Sequence, residues 1–208
     1  PAPAAACRSP GLTGLFVGRS GCPPLPNTPF GASQPLNRCQ EFNDASLSLV
    51  KASKFDTVFL AAYWPKYVHR SEISGTKAHT HAVASSDLVD WSAPVSAGLT
   101  SIVNLIDLVG ARPVLIHDVP EMGVDVPEEL ASQTMVDGSL DVAPTPQYTA
   151  RRQALSRKIL YEVATSTGSD VVDPLPVICN AQVCKAMLDG VVMYRDSDHL
   201  SRSGALLL

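Results

Sequence analysis

The chain has 208 residues and a mass of 22.0 kDa, which is the size of one compact domain. Hydrophobic residues make up 45% of it and charged residues 17%, so it can bury a sizeable core and is not a disordered protein. The formal net charge of −4 lacks the basic excess that is typical of nucleic-acid binders. No apolar run approaches the roughly 18 residues of a membrane span. Residues 1–7 lack the pattern of a secretory signal, so we expect any export signal outside this chain.

The first half of the chain predicts two strands with a helix between them. Residues 14–18 form a short apolar run bounded by glycines, which indicates a buried strand. Asn43 or Asp44 can cap a helix that ends near Ser53, because a short side-chain acceptor satisfies the exposed amide groups at a helix start. Residues 57–62 are apolar without alternation, which is typical of a central strand covered on both faces.

The second half of the chain alternates in the same way. A broad apolar side predicts a helix over residues 95–109, and Gly110 follows it as a helix end. Residues 66–95 and 117–146 are expected to be mainly loops. The remaining predicted elements are, in chain order, strand 113–116, helix 148–165, strand 170–173, a short strand or extended segment at 190–194 and the start of a helix at 201–208.

Alternating strands and helices predict one α/β domain over residues 1–208, with a mainly parallel sheet covered by helices on both faces. In such sheets the reactive groups gather in loops at the carboxyl ends of the strands. We therefore expect a functional site in the loops that follow the predicted strands.

Four of the five cysteines form two pairs that could close loops. Cys22 and Cys39 flank a proline-rich loop, Cys179 and Cys184 flank a short one, and Cys7 is left over. This spacing fits two disulfides and an oxidising compartment better than a zinc cluster, and the alternative is five free thiols. Closing the longer loop would stabilise the fold by about 3 kcal/mol.

The segment from Tyr194 to Ser201 contains the strongest candidate for chemistry. Asp196 precedes His199 by three residues, so a single turn can bring the carboxylate to the imidazole. Such a carboxylate fixes the tautomer and stabilises the imidazolium that forms when the histidine takes a proton. The nucleophile must come from elsewhere, and the alternative interpretation is a solvated cap on the last helix.

Three other groups are weaker candidates. His79 and His81 could offer a pair of metal ligands, but no third ligand follows at a useful spacing, so we predict no metal site. Ser20 lies beside a glycine at a strand end and could be misread as a nucleophile. His117 and Asp118 follow a strand and could line the mouth of a site. No phosphate-binding glycine loop occurs, and no cofactor is predicted.

Four segments, in order, resemble one known family. They read Ser-Gly-Cys-Pro-Pro at 20–24, Phe-Asp-Thr-Val-Phe-Leu-Ala-Ala-Tyr-Trp at 55–64, Val-Asp-Pro-Leu-Pro-Val-Ile-Cys at 172–179 with Cys184, and Tyr-Arg-Asp-Ser-Asp-His-Leu-Ser at 194–201. Together they resemble the SGNH-type (GDSL-like) domain, in the version fused to the carboxyl side of acyltransferase family 3 membrane proteins. The resemblance covers nearly the whole chain.

The resemblance implies a three-layer α/β/α sandwich that faces the periplasm and is tethered to the inner membrane by an acyltransferase domain in the same polypeptide. It implies transfer of acyl groups, usually acetyl, to sugars of a bacterial polysaccharide or lipopolysaccharide. By motif match, His199 would be the general base, Asp196 its orienting carboxylate and Gly21 an oxyanion-hole donor. Tyr63 and Trp64 stand where the wider SGNH group has its oxyanion asparagine. Trp64 is therefore expected either to face the substrate or to be a core aromatic.

One part of the family pattern is missing from the sequence. The nucleophilic serine of the family lies in a Gly-Asp-Ser motif at the end of the first strand, and no Gly-Asp-Ser occurs here. Residues 1–13 resemble the helix that follows that motif, so we expect the first strand and its serine to lie just before Pro1. The alternative is a relative that has lost the serine.

The sequence thus predicts the extracytoplasmic domain of a glycan O-acyltransferase that works through an acyl-serine. Two alternatives stay open. A carbohydrate esterase or deacetylase would use the same Asp196–His199 pair with water as the acceptor. A non-catalytic glycan-binding domain would not use the pair for chemistry at all.

Overall fold

The described part of the chain combines short strands with helices. The computed structural model describes residues 11, 13–26, 28, 36–71, 88–136 and 143–208. The strands are, in chain order, β1 (Thr57–Leu60), β2 (His69–Ser71), β3 (Leu88–Asp90), β4 (Arg112–Ile116), β5 (Asp170–Val172), β6 (Met187–Leu188) and β7 (Val191–Val192). The helices are α1 (Leu36–Ala52), α2 (Trp64–Val68), α3 (Ser92–Leu108), α4 (Val126–Val136), α5 (Pro146–Thr167) and α6 (Leu175–Ile178), followed by a 3-10 helix at Gly204–Leu206.

The central sheet is parallel, with β4 between β1 and β5. Leu60 at the end of β1 pairs with Leu115, and Ile116 at the end of β4 pairs with Val172. Parallel neighbours require long crossovers, which the helices between these strands supply. The carboxyl ends of the strands therefore lie at one edge of the sheet, and the predicted α/β fold with a mainly parallel sheet is confirmed.

The main hydrophobic core lies between the sheet and helices α3 and α5. Leu99 and Ile106 of α3, Leu160 of α5 and Leu115 of β4 are all fully buried in it. Burial of an aliphatic side chain of this size stabilises the fold by about 1.5–3 kcal/mol. This packing holds the strand ends, and the loops that follow them, in a fixed relation.

Local signals explain both ends of α5. The hydroxyl of Thr145 accepts a hydrogen bond from the Tyr148 amide at 3.2 Å, which caps the first turn. Gly168 ends the helix in the left-handed conformation, with φ of 72°, which favours glycine. In the described ranges, no helix combines the length and the apolar composition needed to cross a bilayer.

One predicted strand and one predicted helix start in the first half are wrong, while the helix itself ends near Ser53 as expected. Residues 14–18 have no strand partner in the described part of the chain, and the side chains of Leu15, Phe16 and Val17 are 45–59% exposed. Helix α1 begins well before Asn43, which is buried inside it rather than capping it. The Asn43 amide instead donates to the backbone oxygens of Pro23 and Leu25, at 3.0 and 3.3 Å. A tertiary contact thus uses the polar group that the sequence assigned to a local cap.

The expected loop over residues 117–146 contains the helix α4. Asp125 accepts a hydrogen bond from the Glu128 amide at 3.1 Å, as a helix cap does. Glu128 and Glu129 lie in the first turn, where acidic side chains are favourable. The Asp-x-x-Glu spacing was the sequence signal for this helix start.

Both predicted disulfides are present. Cys22 is bonded to Cys39, which ties the loop around Gly21 to helix α1, and Cys179 is bonded to Cys184. These bonds support the inference of an oxidising compartment. Cys7 lies outside the described residues.

Removing the Cys22–Cys39 bond is expected to reduce the free energy of unfolding by about 3 kcal/mol, and removing Cys179–Cys184 by about 2 kcal/mol. The difference follows from their sequence separations of 17 and 5 residues, because the longer loop restricts the unfolded chain more. Urea denaturation of the two double Cys→Ser variants measures both values. Equal, near-zero losses would contradict the prediction.

Candidate active site

The Asp196–His199 pair is formed as predicted. The Nδ1 of His199 lies 2.9 Å and 3.1 Å from the two carboxylate oxygens of Asp196. With Nδ1 donating to the carboxylate, Nε2 is left to accept a proton. The His199 side chain is 57% exposed, so a reactant can reach it.

The Asp196 carboxylate is held by its own turn as well as by the histidine. Its Oδ1 accepts the backbone amides of Asp198 and His199, at 3.0 and 2.7 Å. Partial burial alone would raise the pKa of Asp196, but these two amides and the nearby His199 outweigh it and lower the pKa. The carboxylate is therefore ionised at neutral pH and can stabilise an imidazolium.

The loop that carries the pair is closed at its base. Tyr194 and Leu200 form an isolated antiparallel bridge, and the Arg195 amide donates to the His199 carbonyl at 3.0 Å. Ser201 joins the end of the loop to β7, because its hydroxyl donates to the Val192 carbonyl at 2.7 Å. These bonds fix the backbone on both sides of His199, so its ring has a defined direction.

Close packing behind this loop depends on one glycine. A Cβ atom at Gly204 would lie 2.3 Å from the carbonyl oxygen of Met193. The 3-10 helix at the end of the chain can therefore approach the strand that leads into the loop only because residue 204 has no side chain.

Tyr63 lies in a polar network that sequence analysis did not predict. Its hydroxyl donates to Oε2 of Glu121 at 2.6 Å, and Nε of Arg152 donates to the same oxygen at 2.8 Å. Burial and the neighbouring Glu121 carboxylate raise the pKa of Tyr63 well above its usual value. The phenol is thus neutral and engaged with Glu121, which limits its freedom to act as an oxyanion donor.

Trp64 is completely buried. Its indole Nε1 donates to the Ile116 carbonyl at 2.8 Å, at the carboxyl end of β4. The ring offers no surface to a substrate in this structure, so the geometry favours the core role that the sequence left open. Trp64 links the end of β1 to the end of β4.

Gly21 lies in an exposed turn with φ of 73°, a conformation that favours glycine. The turn is closed by a hydrogen bond from the Cys22 amide to the Arg19 carbonyl. No hydrogen bond among the described residues joins this turn to the loop of His199. Its assignment as an oxyanion donor therefore stays a prediction.

His117 does not face solvent at the mouth of a site. It is 3% exposed, and its ring centroid lies 4.7 Å from that of Tyr161. Burial, assisted by the charge of Arg157, lowers the pKa of His117 to about 4. It is therefore a neutral core histidine at neutral pH.

Among the described residues, one group of side chains has the spacing of metal ligands. One ligand atom from each of Asp196, Asp198 and His199 lies within 4.8 Å of the others. The imidazole nitrogen on that side already bonds the Asp196 carboxylate, and exposed acidic groups are common without an ion. His79 and His81 lie outside the described residues.

A nucleophile is the missing part of the site. Within the described ranges, His199 has Asp196 on Nδ1 and no serine hydroxyl bonded to Nε2. The serines nearest in sequence point elsewhere, since Ser197 donates to Asp198 and Ser201 to Val192. Among the described residues, the arrangement supplies an oriented proton acceptor with no serine bonded to it.

Comparisons with known proteins show the family and the fold of the chain. The sequence profile of the family described as "SGNH domain (fused to AT3 domains)" matches residues 1–208. No curated protein sequence matches the chain. The fold is similar to the solved periplasmic domain of a lipopolysaccharide acetyltransferase from Salmonella ser. Paratyphi A, with a TM-score of 0.59 and 14% identity. The match covers 90% of this chain and 66% of the Salmonella chain, so this chain spans about 66% of that structure's length.

The family match covers the whole sequence, and the Salmonella structure independently supports the same fold. The chain belongs to the family of SGNH domains that are fused to AT3 domains.

Proposed function

We propose that the chain is the extracytoplasmic domain of an O-acyltransferase that transfers an acyl group, most simply acetyl, to a sugar of a bacterial surface glycan. The observation that carries the proposal is the Asp196–His199 hydrogen bond, with an exposed imidazole, in a domain of the AT3-fused family. The two disulfides support an extracytoplasmic location. The similar Salmonella domain is from a lipopolysaccharide acetyltransferase, which supports a glycan as acceptor.

The proposed chemistry has two steps that share one base. First, a serine oxygen bonds to the acyl carbon of the donor, the serine proton passes to Nε2 of His199, and the leaving group departs with that proton. Second, a sugar hydroxyl gives its proton to Nε2 and bonds to the acyl carbon, and the serine oxygen leaves and takes that proton back. Dividing one transfer into two steps lowers the barrier to each. Asp196 stabilises the imidazolium in both.

The serine is proposed to come from a further strand beside β1. In the described sheet β1 is an edge strand, and Phe59 in its middle is 52% exposed. Half-exposed apolar surface on an unpaired edge supports pairing with another strand of the full-length protein. A parallel strand there would end at the same edge of the sheet as the loops near His199.

Hydrolysis is the second candidate. The His199 imidazole is 57% exposed, so water can reach Nε2 as readily as a sugar hydroxyl. The same pair would then release free acid from an ester. Which outcome dominates depends on how the complete site excludes water.

The full-length protein in membranes, given a ¹³C-acetyl ester and an acceptor oligosaccharide, separates these functions. Transfer predicts ¹³C-acetylated sugar by mass spectrometry, whereas an esterase releases only ¹³C-acetate. The matched control is the same preparation with the acceptor omitted. If neither product exceeds the level of membranes without the protein, the proposed function is wrong.

A further inference from the structure

The loop after β4 lies directly beneath the loop that carries His199. The Met122 amide donates to the Ser197 carbonyl at 2.8 Å, which joins the two loops. Tyr194, at the base of the loop that carries His199, is 1% exposed and belongs to the same small core as Met122. A shift of one loop relative to the other would therefore displace the backbone of the Asp196–His199 pair.

Four buried polar atoms in these loops have no hydrogen-bond partner among the described residues. They are Nε2 of His117, Oδ2 of Asp118, Oε1 of Glu121 and the hydroxyl oxygen of Tyr194. The other oxygen of Asp118 accepts only the adjacent Val119 amide, at 2.9 Å. Within the described ranges, no Lys or Arg forms a salt bridge with Asp118.

The charges around Asp118 are of its own sign. An ionised Asp118 would be repelled by Glu121 in the same loop and by Asp198 in the loop that carries His199. It would also repel an ionised Tyr194. Arg152 of helix α5 forms its salt bridge with Glu121, with Nε 2.8 Å from the carboxylate, and forms none with Asp118. A carboxylate oxygen that is buried without a cation loses its solvation when it is charged, so the neutral acid is favoured. Burial, then the Glu121 charge, accordingly raises the pKa of Asp118 well above its usual value.

We propose that Asp118 is a positioning residue: it remains a neutral carboxylic acid and, by remaining neutral, keeps the loop after β4 docked beneath the loop of His199. Ionisation would place its charge beside Asp198 and Glu121. Repulsion between Asp118 and Asp198 would then act across the Met122–Ser197 hydrogen bond and loosen the support of His199.

The expected pH dependence follows from proton linkage. The folded protein keeps the proton on Asp118 at pH values where the unfolded chain has lost it. The stabilisation is therefore complete below about pH 4 and is lost as the pH rises towards the raised pKa of the folded state. Over that range the folding equilibrium constant falls by up to about tenfold per pH unit. Asp118→Asn keeps the shape and cannot ionise, so it removes this loss.

Urea denaturation of the chain and of Asp118→Asn at pH 5, 6, 7 and 8 tests the first half of the proposal. We expect the ratio of folding constants, variant over wild type, to rise by up to about tenfold per pH unit. Asp107→Asn, at an exposed position of helix α3, is the matched control, since an exposed substitution changes the free energy of unfolding little. A constant ratio for Asp118→Asn overturns the proposal. Should that variant not fold, a ¹³C-carboxyl signal typical of an ionised Asp118 at pH 7 in the wild type also overturns it.

Amide hydrogen exchange tests the positioning role itself. In the wild type, the protection of the Met122 amide should fall between pH 7 and 9 after correction for intrinsic exchange, whereas Asp118→Asn should keep it. Equal protection in both proteins would overturn the coupling between the loops. The consequence for catalysis rests on the proposed function, but neither measurement needs activity. Failure of the proposed acyl transfer therefore leaves this test unaffected.

Discussion

Replacing His199 with Ala in the full-length protein is expected to slow glycan acylation by about 10²–10⁴-fold. The reason is that Nε2 is the group left to accept the serine proton once Nδ1 is bonded to Asp196. Substitution at this exposed side chain should leave the unfolding transition nearly unchanged, since exposed positions contribute little to stability. The rate is measured as ¹³C-acetylated glycan formed per unit of protein.

Asp196→Asn tests the carboxylate of the Asp196–His199 pair. An amide cannot stabilise the imidazolium, and it can turn its NH₂ towards Nδ1 and favour the wrong tautomer. We expect the acylation rate to fall by a similar order.

Asp189→Asn is the matched control for Asp196→Asn. Asp189 is exposed in the turn between β6 and β7 with φ of 50°, a conformation that asparagine also tolerates. This variant should acylate at the wild-type rate.

Normal acylation by His199→Ala would contradict the assignment of the general base.

Replacing Trp64 with Ala is expected to lower the free energy of unfolding by about 3–5 kcal/mol. The ring is fully buried between the ends of β1 and β4, so its loss leaves a cavity in the main core. Trp64→Phe should cost less, about 1–3 kcal/mol, chiefly because the Ile116 carbonyl loses its donor. Urea denaturation measures both values.

Leu108→Ala serves as the control, because Leu108 is 85% exposed and its truncation creates no cavity. We expect its effect to stay within about 0.5 kcal/mol. If Trp64→Phe keeps full stability but raises the KM for the glycan, Trp64 faces the substrate and the core role is contradicted.

The features that the sequence predicted well depend on neighbours along the chain. Helix α3 repeats apolar residues at helical spacing, and residues 113–116 of β4 are an uninterrupted apolar run, so burial follows from local pattern. The Asp196–His199 bond spans three residues and needs only one turn. Both disulfides close loops that are visible in the sequence.

The features that the sequence did not predict depend on contacts between distant segments. Asn43 has the chemistry of a helix cap, yet the carbonyls of Pro23 and Leu25 use its amide. Residues 14–18 are as apolar as a buried strand, yet burial requires a partner that local pattern does not supply. An apolar run shows that a segment can be buried, and only the fold shows what covers it.

The same division holds for the site. The sequence by itself determined the fold class and the oriented imidazole of His199, because composition and short spacing are sufficient for these. The tertiary structure alone decided that Trp64 is enclosed, that Tyr63 and Arg152 share Glu121, and that Oδ2 of Asp118 is buried in the loop after β4. Tyr63 and Glu121 are 58 residues apart in the chain. Residues so far apart in the chain become buried together, or bring like charges together, only in the folded sheet. There the aligned strands bring the loops that follow them to one edge.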